Sequence, residues 1–143
     1  MSETAQAFQW VATTMQADSA LVAAATGGIF QGFAPMDTVP PYALVAQQIG
    51  TDVNTVNQIR LFSHILLRIQ AIGASGPGGN FAALVTIADR IDALFKNVRS
   101  VGLAGGGGVL ACYREQPLAY NDEVNGQPFT YLGGLYHIEL QGS

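Results

Sequence analysis

Charge is scarce in this chain. Asp, Glu, Lys and Arg make up 11% of its 143 residues, under half of the roughly 25% found in ordinary globular domains. Surface so poor in charge must be covered by Gly, Ala, Gln, Asn, Ser and Thr, or by another subunit, which favours an assembly over a lone monomer. Bases are the rarer sign. Residues 1–59 hold no Lys or Arg but carry Glu3, Asp18, Asp37 and Asp52. Residues 60–99 hold five of the six bases, and residues 100–143 set Arg114 against Glu115, Asp122, Glu123 and Glu139. A net charge of −4 without a basic stripe argues against gripping DNA or RNA, because that affinity comes from neutralising phosphates. It does not argue against a surface past which DNA slides.

Other absences narrow the field further. The single cysteine, Cys112, leaves no partner for an internal disulfide, fits a reducing compartment and argues against a Cys-ligated metal. The first residues show neither the basic nor the apolar segment of a signal peptide. The apolar run "ALVAAAT" stops at Gly27-Gly28, far short of the ~20 residues that cross a bilayer. No membrane partner is expected.

What is present is apolar and patterned. A hydrophobic fraction of 49% supports one sizeable core, and residues 1–143 read as a single domain. Residues 4–16 read as a helix with Ala5, Phe8, Ala12 and Met15 on one face, and Asp18 and Ser19 offer caps for a short second helix, "ALVAAAT". "IFQGF" (29–33) is a short extended piece, "APMDTVPP" (34–41) a loop, "YALVAQQIG" (42–50) a strand and "TDVNTVN" (51–57) a turn-rich connection. "IRLFSHILLRIQ" (59–70) alternates with period two. Ile59, Leu61, Ser63, Ile65, Leu67 and Ile69 form the core face, and Arg60, His64, Arg68 and Gln70 the other. Residues 80–98 show a helical stripe of Phe81, Leu84, Val85, Ala88, Ile91, Leu94, Phe95 and Val98. Residues 100–108 read as a flexible link, and 109–120 as a strand interrupted at Pro117. Residues 121–128 are a hairpin loop around Asn125-Gly126, and 129–141 a last strand with a bulge or close approach at Gly133-Gly134. The expected fold is α+β: an antiparallel sheet of about four strands, as two hairpins, packed by one main amphipathic helix and the N-terminal helices.

Catalytic chemistry is hard to assemble from these residues. "GASGPGGNF" (73–81) has the glycine spacing of a phosphate loop, but Gly79 and Asn80 stand where the lysine and hydroxyl are needed. It reads as a pliant strand-to-helix turn with Asn80 as N-cap. The run Gly105–Gly108 follows a helix and precedes a strand, the reverse of the phosphate-binding order. His64 and His137 are the only histidines. A metal would need them adjacent in the sheet and joined by a third ligand, and neither strand shows an acid or cysteine at ligand spacing. A Cys112–His nucleophilic pair would need neighbouring strands, and "VLACY" looks like core. Asp89 and Asp92 read as solvated charges beside Arg90 and Lys96. No catalytic, cofactor or metal site is expected. Arg60 and Arg68, on the outer face of the long strand with His64, are candidates to meet Asp122 and Glu123 of another subunit.

The succession of motifs resembles the tail terminator, or tail-completion, proteins of long-tailed bacteriophages. The likeness runs from "ALVAAATGGIFQGFAPMDTVPPYALVAQQIG", a short helix leading to a Pro-Tyr-x-x-Val strand, through "IRLFSHILLRIQAIG" and "AALVTIADRIDALF" to "VLACYREQPLAYNDEV" and "YLGGLYHIELQ". It covers about residues 10–140 and departs from the family in its glycine content at 73–79 and 105–108. The resemblance implies a structural virion protein, assembled in the host cytoplasm, that forms a ring, usually of six subunits, at the head–tail junction. Such a ring stops tail-tube polymerisation, docks the tail to the head connector and lets genomic DNA pass through its lumen without specific binding. Another neck or tail-tube component is the alternative. A small cytosolic enzyme or ligand-binding domain using the Gly73–Gly79 turn or Cys112 is a more remote one.

Overall fold

The computed structural model describes residues 2–57, 60–103 and 106–142. Ile59 and Gly105, which entered the expectations above, lie outside them. Each helix starts where the local chemistry favours it. α1 (Glu3–Gln16) is capped by Ser2, whose hydroxyl accepts from the Ala5 N–H at 3.2 Å, with Glu3 in the first turn. α2 (Ser19–Ala24) is capped by Asp18, which accepts from the Leu21 N–H at 2.9 Å. The stripe on α1 is Ala7, Val11 and Met15, with Ala12 beside them. Ala5, expected on that face, is exposed.

Six strands follow: β1 (Ile29–Gln31), β2 (Tyr42–Asn54), β3 (Arg60–Ala74), β4 (Val98–Gly102), β5 (Gly108–Val124) and β6 (Gln127–Gln141). They form one curled sheet in the order β1-β2-β3-β6-β5-β4, with α3 (Phe81–Phe95) connecting β3 to β4. The two expected hairpins, β2–β3 and β5–β6, are joined through an antiparallel β3–β6 pair. The expectation of about four strands is corrected to six. β1 pairs parallel with β2, so the sheet is mixed, and β4 pairs antiparallel with β5. Both added strands are short and lie at the rim, where local pattern is weakest and pairing with a long neighbour supplies the order. Val98 and residues 100–102, expected in helix and link, belong to β4. Residues 51–54, expected in a turn, continue β2, and β5 runs through Pro117, which pairs with Gly134. The β5–β6 turn shrinks to Asn125-Gly126, both with positive φ (53° and 78°), the combination a two-residue type I′ turn requires.

The core lies between the helices and one face of the sheet. Ala43 and Val45 of β2, Ile65, Leu67 and Ile69 of β3, and Tyr136, Ile138 and Leu140 of β6 meet Leu84, Ile87, Ile91 and Phe95 of α3 and the α1 stripe. Ile87 replaces Phe81 and Val85 in the expected stripe, and both of those are exposed. Phe95 sits edge-on to Trp10 at 5.5 Å and to Tyr136 at 6.1 Å. The Tyr136 hydroxyl donates to Asp92 Oδ1 at 3.1 Å, and burial, then the Asp92 charge, pushes the phenol well above its usual value. Asp92 also lies 3.7 Å from Arg114 Nε, so it is a tertiary contact and not the solvated charge its helix pattern suggests.

Asp18 joins two helices. Its carboxylate caps α2 and receives both Nε and Nη2 of Arg90 from α3. The Arg90 hydrogen bond, then the Leu21 N–H, hold the carboxyl below its ordinary value of 3.8. A depressed carboxylate contributes stability above its unfolded-state value and loses it as pH falls through the folded-state value. Asp18→Asn keeps a capping oxygen but removes the charge. Thermal melts are expected to show the variant less stable than the wild type at pH 6. The two should converge as pH falls through the lowered folded-state value of Asp18, and an unchanged gap at low pH would refute this.

Candidate functional site

Period two sends half of the β3 and β6 side chains to the face away from the helices, which no helix covers among the described residues. The register there sets His64 opposite Glu139, Leu66 opposite His137, Arg68 opposite Leu135 and Gln70 opposite Gly133. β5 adds Tyr113 beside His137 and Tyr120 beside Tyr131. The rings are in contact: Tyr113 stacks on His137 at 4.9 Å, Phe62 meets His64 edge-on at 5.2 Å, and Tyr120 stacks on Tyr131 at 4.6 Å. Gln70, on the face opposite the core as expected, is nonetheless buried at 2% exposure and accepts from the Tyr120 hydroxyl at 3.3 Å. The reason is the curl of the sheet, which brings the long β5 side chains over the middle of β3.

The candidate interface residues fall at different places. Arg60, at the start of β3, pairs within the chain with Glu3 at 2.9 Å and Asp52 at 3.7 Å. Arg68, mid-strand, has a buried Nε without a hydrogen-bond partner among the described residues. Asp122 and Glu123 are exposed near the tip of the β5–β6 hairpin, and Asp122 accepts from the Glu123 N–H at 2.7 Å. The pairings Ala74–Phe129–Asp122 put that tip at the opposite end of the sheet from Arg60. Within one chain Arg60 is therefore far from Asp122 and Glu123, while Arg68 lies between them. His64 Nδ1 lies 2.8 Å from His137 Nε2, and Glu139 Oε1 lies 3.6 Å from each of those nitrogens. This third group was missed in the sequence, although its signal was present: in His137-Ile138-Glu139 the outer two side chains share a face.

The edges of the sheet are the second feature. β1 covers β2 only over residues 43–45, and β4 covers β5 only up to Cys112. The outer edges of β2 beyond Val45 and of β5 beyond Cys112 are therefore unpaired within the chain among the described residues, on opposite sides of the sheet. Exposed apolar side chains accompany them. Phe33, Met36 and Val39 occupy the loop before β2 at 78%, 99% and 72% exposure. Ile49 and Val56 follow on β2 and its turn, and Tyr113, Tyr120 and Val124 lie on β5.

Neither chemical rival gains from the geometry. Cys112 faces the core opposite Ile138, while His137, opposite Tyr113, faces the other way. Burial also pushes the Cys112 thiol up to about 12, which keeps it protonated and unreactive. In the glycine turn, Asn80 does not cap α3 with its side chain; its Oδ1 accepts from the Ala74 N–H at 3.0 Å. The Asn80 N–H returns to the Ala74 carbonyl at 3.1 Å and the Gly79 N–H to the Gly76 carbonyl at 2.9 Å. Amides that would cradle a phosphate are thus spent on the turn itself.

No protein-family model and no curated protein matches the sequence. A solved structure shares the fold: a chain from the virion of a native gene transfer agent particle, at a TM-score of 0.68 and 14% identity. The match covers 99% of this chain and 98% of that one.

Proposed function

We propose that this protein is a structural component of a phage-like virion, and that within it the chain acts as a single tail-terminator-like domain at the head–tail junction. The observation that carries the reading is the fold likeness along the full length of a virion chain. The two unpaired strand edges support it. They lie on opposite sides of the sheet, and a head-to-tail contact repeated by rotation joins two different patches of one subunit and closes as a ring. Long, exposed strand edges on a lone monomer invite uncontrolled pairing, so a defined neighbour is the simplest way to cover them. In such a ring we take Arg68 of one subunit to meet Asp122 or Glu123 of the next, whereas Arg60 is held by Glu3 and Asp52 of its own chain at the far end of β3. The tail tube, the connector and passing DNA are the other partners of this reading, which assigns no catalytic step to the chain.

Particle imaging with this chain located in the density is the test. One ring per particle at the neck is expected; many stacked rings would make it a tube subunit, and absence from particles together with a strict monomer in mass photometry would overturn the reading. The exposed loop offers a sharper variant. Phe33→Asp with Met36→Asp is expected to leave the monomer melting within about 0.5 kcal/mol of wild type, as surface changes do. If the loop is covered in the assembly, the same double variant weakens association at least about tenfold, because two desolvated charges replace apolar contacts.

A further inference from the structure

We infer that His64, His137 and Glu139 form a binding site for a divalent transition metal such as Zn²⁺. The three ligand atoms are His64 Nδ1, His137 Nε2 and Glu139 Oε1, separated by 2.8, 3.6 and 3.6 Å. Atoms so spaced lie on a circle of radius about 2.0 Å, and Zn–N and Zn–O bonds are about 2.0–2.2 Å long. An ion just off the plane of the three atoms therefore reaches all of them with little movement of any side chain.

The scaffold holds the ligands in place. His64 and Glu139 are direct partners across the β3–β6 ladder, and His137 lies two residues from Glu139 on the same face. These two strands are at the centre of the sheet, each paired on both sides. Phe62 and Tyr113 pack on the two imidazoles and limit their rotation. Among the described residues, no Lys or Arg lies within ion-pair distance of Glu139, so its charge is left to the two histidines or to a cation that they share. The side chains of His64, His137 and Glu139 keep 30%, 17% and 30% exposure, which leaves a fourth coordination position open to water or to a group from a neighbouring chain.

The donor set selects the ion. Two imidazoles with one carboxylate suit Zn²⁺, Co²⁺ and Ni²⁺, whereas Ca²⁺ and Mg²⁺ need more oxygen ligands than one carboxylate supplies. Ligation requires neutral imidazoles, so affinity falls as pH is lowered.

The test is titration of the full chain, stripped with a chelator, with Co²⁺ and Zn²⁺. The expected result is one ion per chain, a visible Co²⁺ absorption band that Zn²⁺ displaces, and a Kd of about 1 μM or tighter. Mg²⁺ should neither displace Co²⁺ nor raise the melting temperature. His64→Ala, His137→Ala and Glu139→Gln should each weaken Co²⁺ binding at least about 100-fold, as expected for loss of a direct ligand. Glu139→Gln preserves shape and keeps the test valid if a histidine variant fails to fold. Absence of the band in wild type, or a band that survives all three substitutions, would overturn the site and leave the cluster as a hydrogen-bonded imidazole pair. Neither result bears on whether the chain occupies a virion.

Discussion

Phe95→Ala is expected to lower stability by about 3–5 kcal/mol, the range for truncating a buried aromatic side chain. Phe95 is fully buried at the end of α3, and Trp10 of α1 and Tyr136 of β6 both rest their rings against it. The ring thus ties α1, α3 and the central sheet together, and three separate elements must move to fill the void it leaves. A loss of that size is a large share of the ~5–15 kcal/mol available to a typical domain. For a chain of this length it corresponds to a fall in melting temperature of roughly 10–20 °C. Phe95→Leu should recover more than half of the loss, because most of the volume returns. Denaturant melts of the two variants check this, and an alanine variant within 1 kcal/mol of wild type, on the order of a surface change, would show that the three elements do not depend on the ring.

The second large effect is expected at Gly133, and its neighbour supplies the control. A Cβ on Gly133 would stand 2.2 Å from the Ile69 carbonyl oxygen and 2.5 Å from Gln70 Cα, both backbone atoms of β3. Neither can give way unless β6 separates from β3 at the middle of the sheet. A Cβ on Gly134 would meet first the Arg114 side chain, at 2.9 Å from its Cδ, and an exposed arginine can swing aside; it would then meet the Gln116 carbonyl oxygen at 3.1 Å, which need give only a few tenths of an ångström. Gly133→Ala is therefore expected to cost about 3 kcal/mol or more, at the upper end for forced overpacking. Gly134→Ala should cost about 1 kcal/mol or less, since alanine also reduces the freedom of the unfolded chain. Equal melting temperatures for the two would contradict the close approach of the strands.

The Gly133-Gly134 pair also shows how far the sequence can be read. Two glycines inside an otherwise strand-like segment announce a bulge or a close approach. The structure chooses the close approach at Gly133 and places its register irregularities on other strands, at 109–111 and 114–116 of β5 and at 47–49 and 53–54 of β2. On β3 the alternation was legible: Ser63, Ile65, Leu67 and Ile69 are buried as expected, but Leu61, also expected on the core face, is 48% exposed near the strand's start, outside the buried cluster. Its outer face was legible as a face, but Gln70 was not legible as buried, because the group that covers it, Tyr120, is 50 residues away. The helix 81–95 was legible from its repeat, although Ile87 and not Phe81 lies against the sheet. Which side of a broad apolar stripe turns inward is decided by the surface it meets.

By itself the sequence determined what local physics determines. Asp18 supplies a capping oxygen, Asn125-Gly126 supplies the two positive φ angles of a tight turn, and period two or period 3.6 assigns the long strands and helices. Beyond the two hairpins, tertiary structure alone decided which strands became neighbours. The β3–β6 pairing brings His64, 73 residues distant in the chain, within 2.8 Å of His137, and strand order leaves the edges of β2 and β5 open on opposite sides. Pairing and register minimise a sum over the whole sheet and its helices, so no short window of residues carries enough of that sum to reveal them.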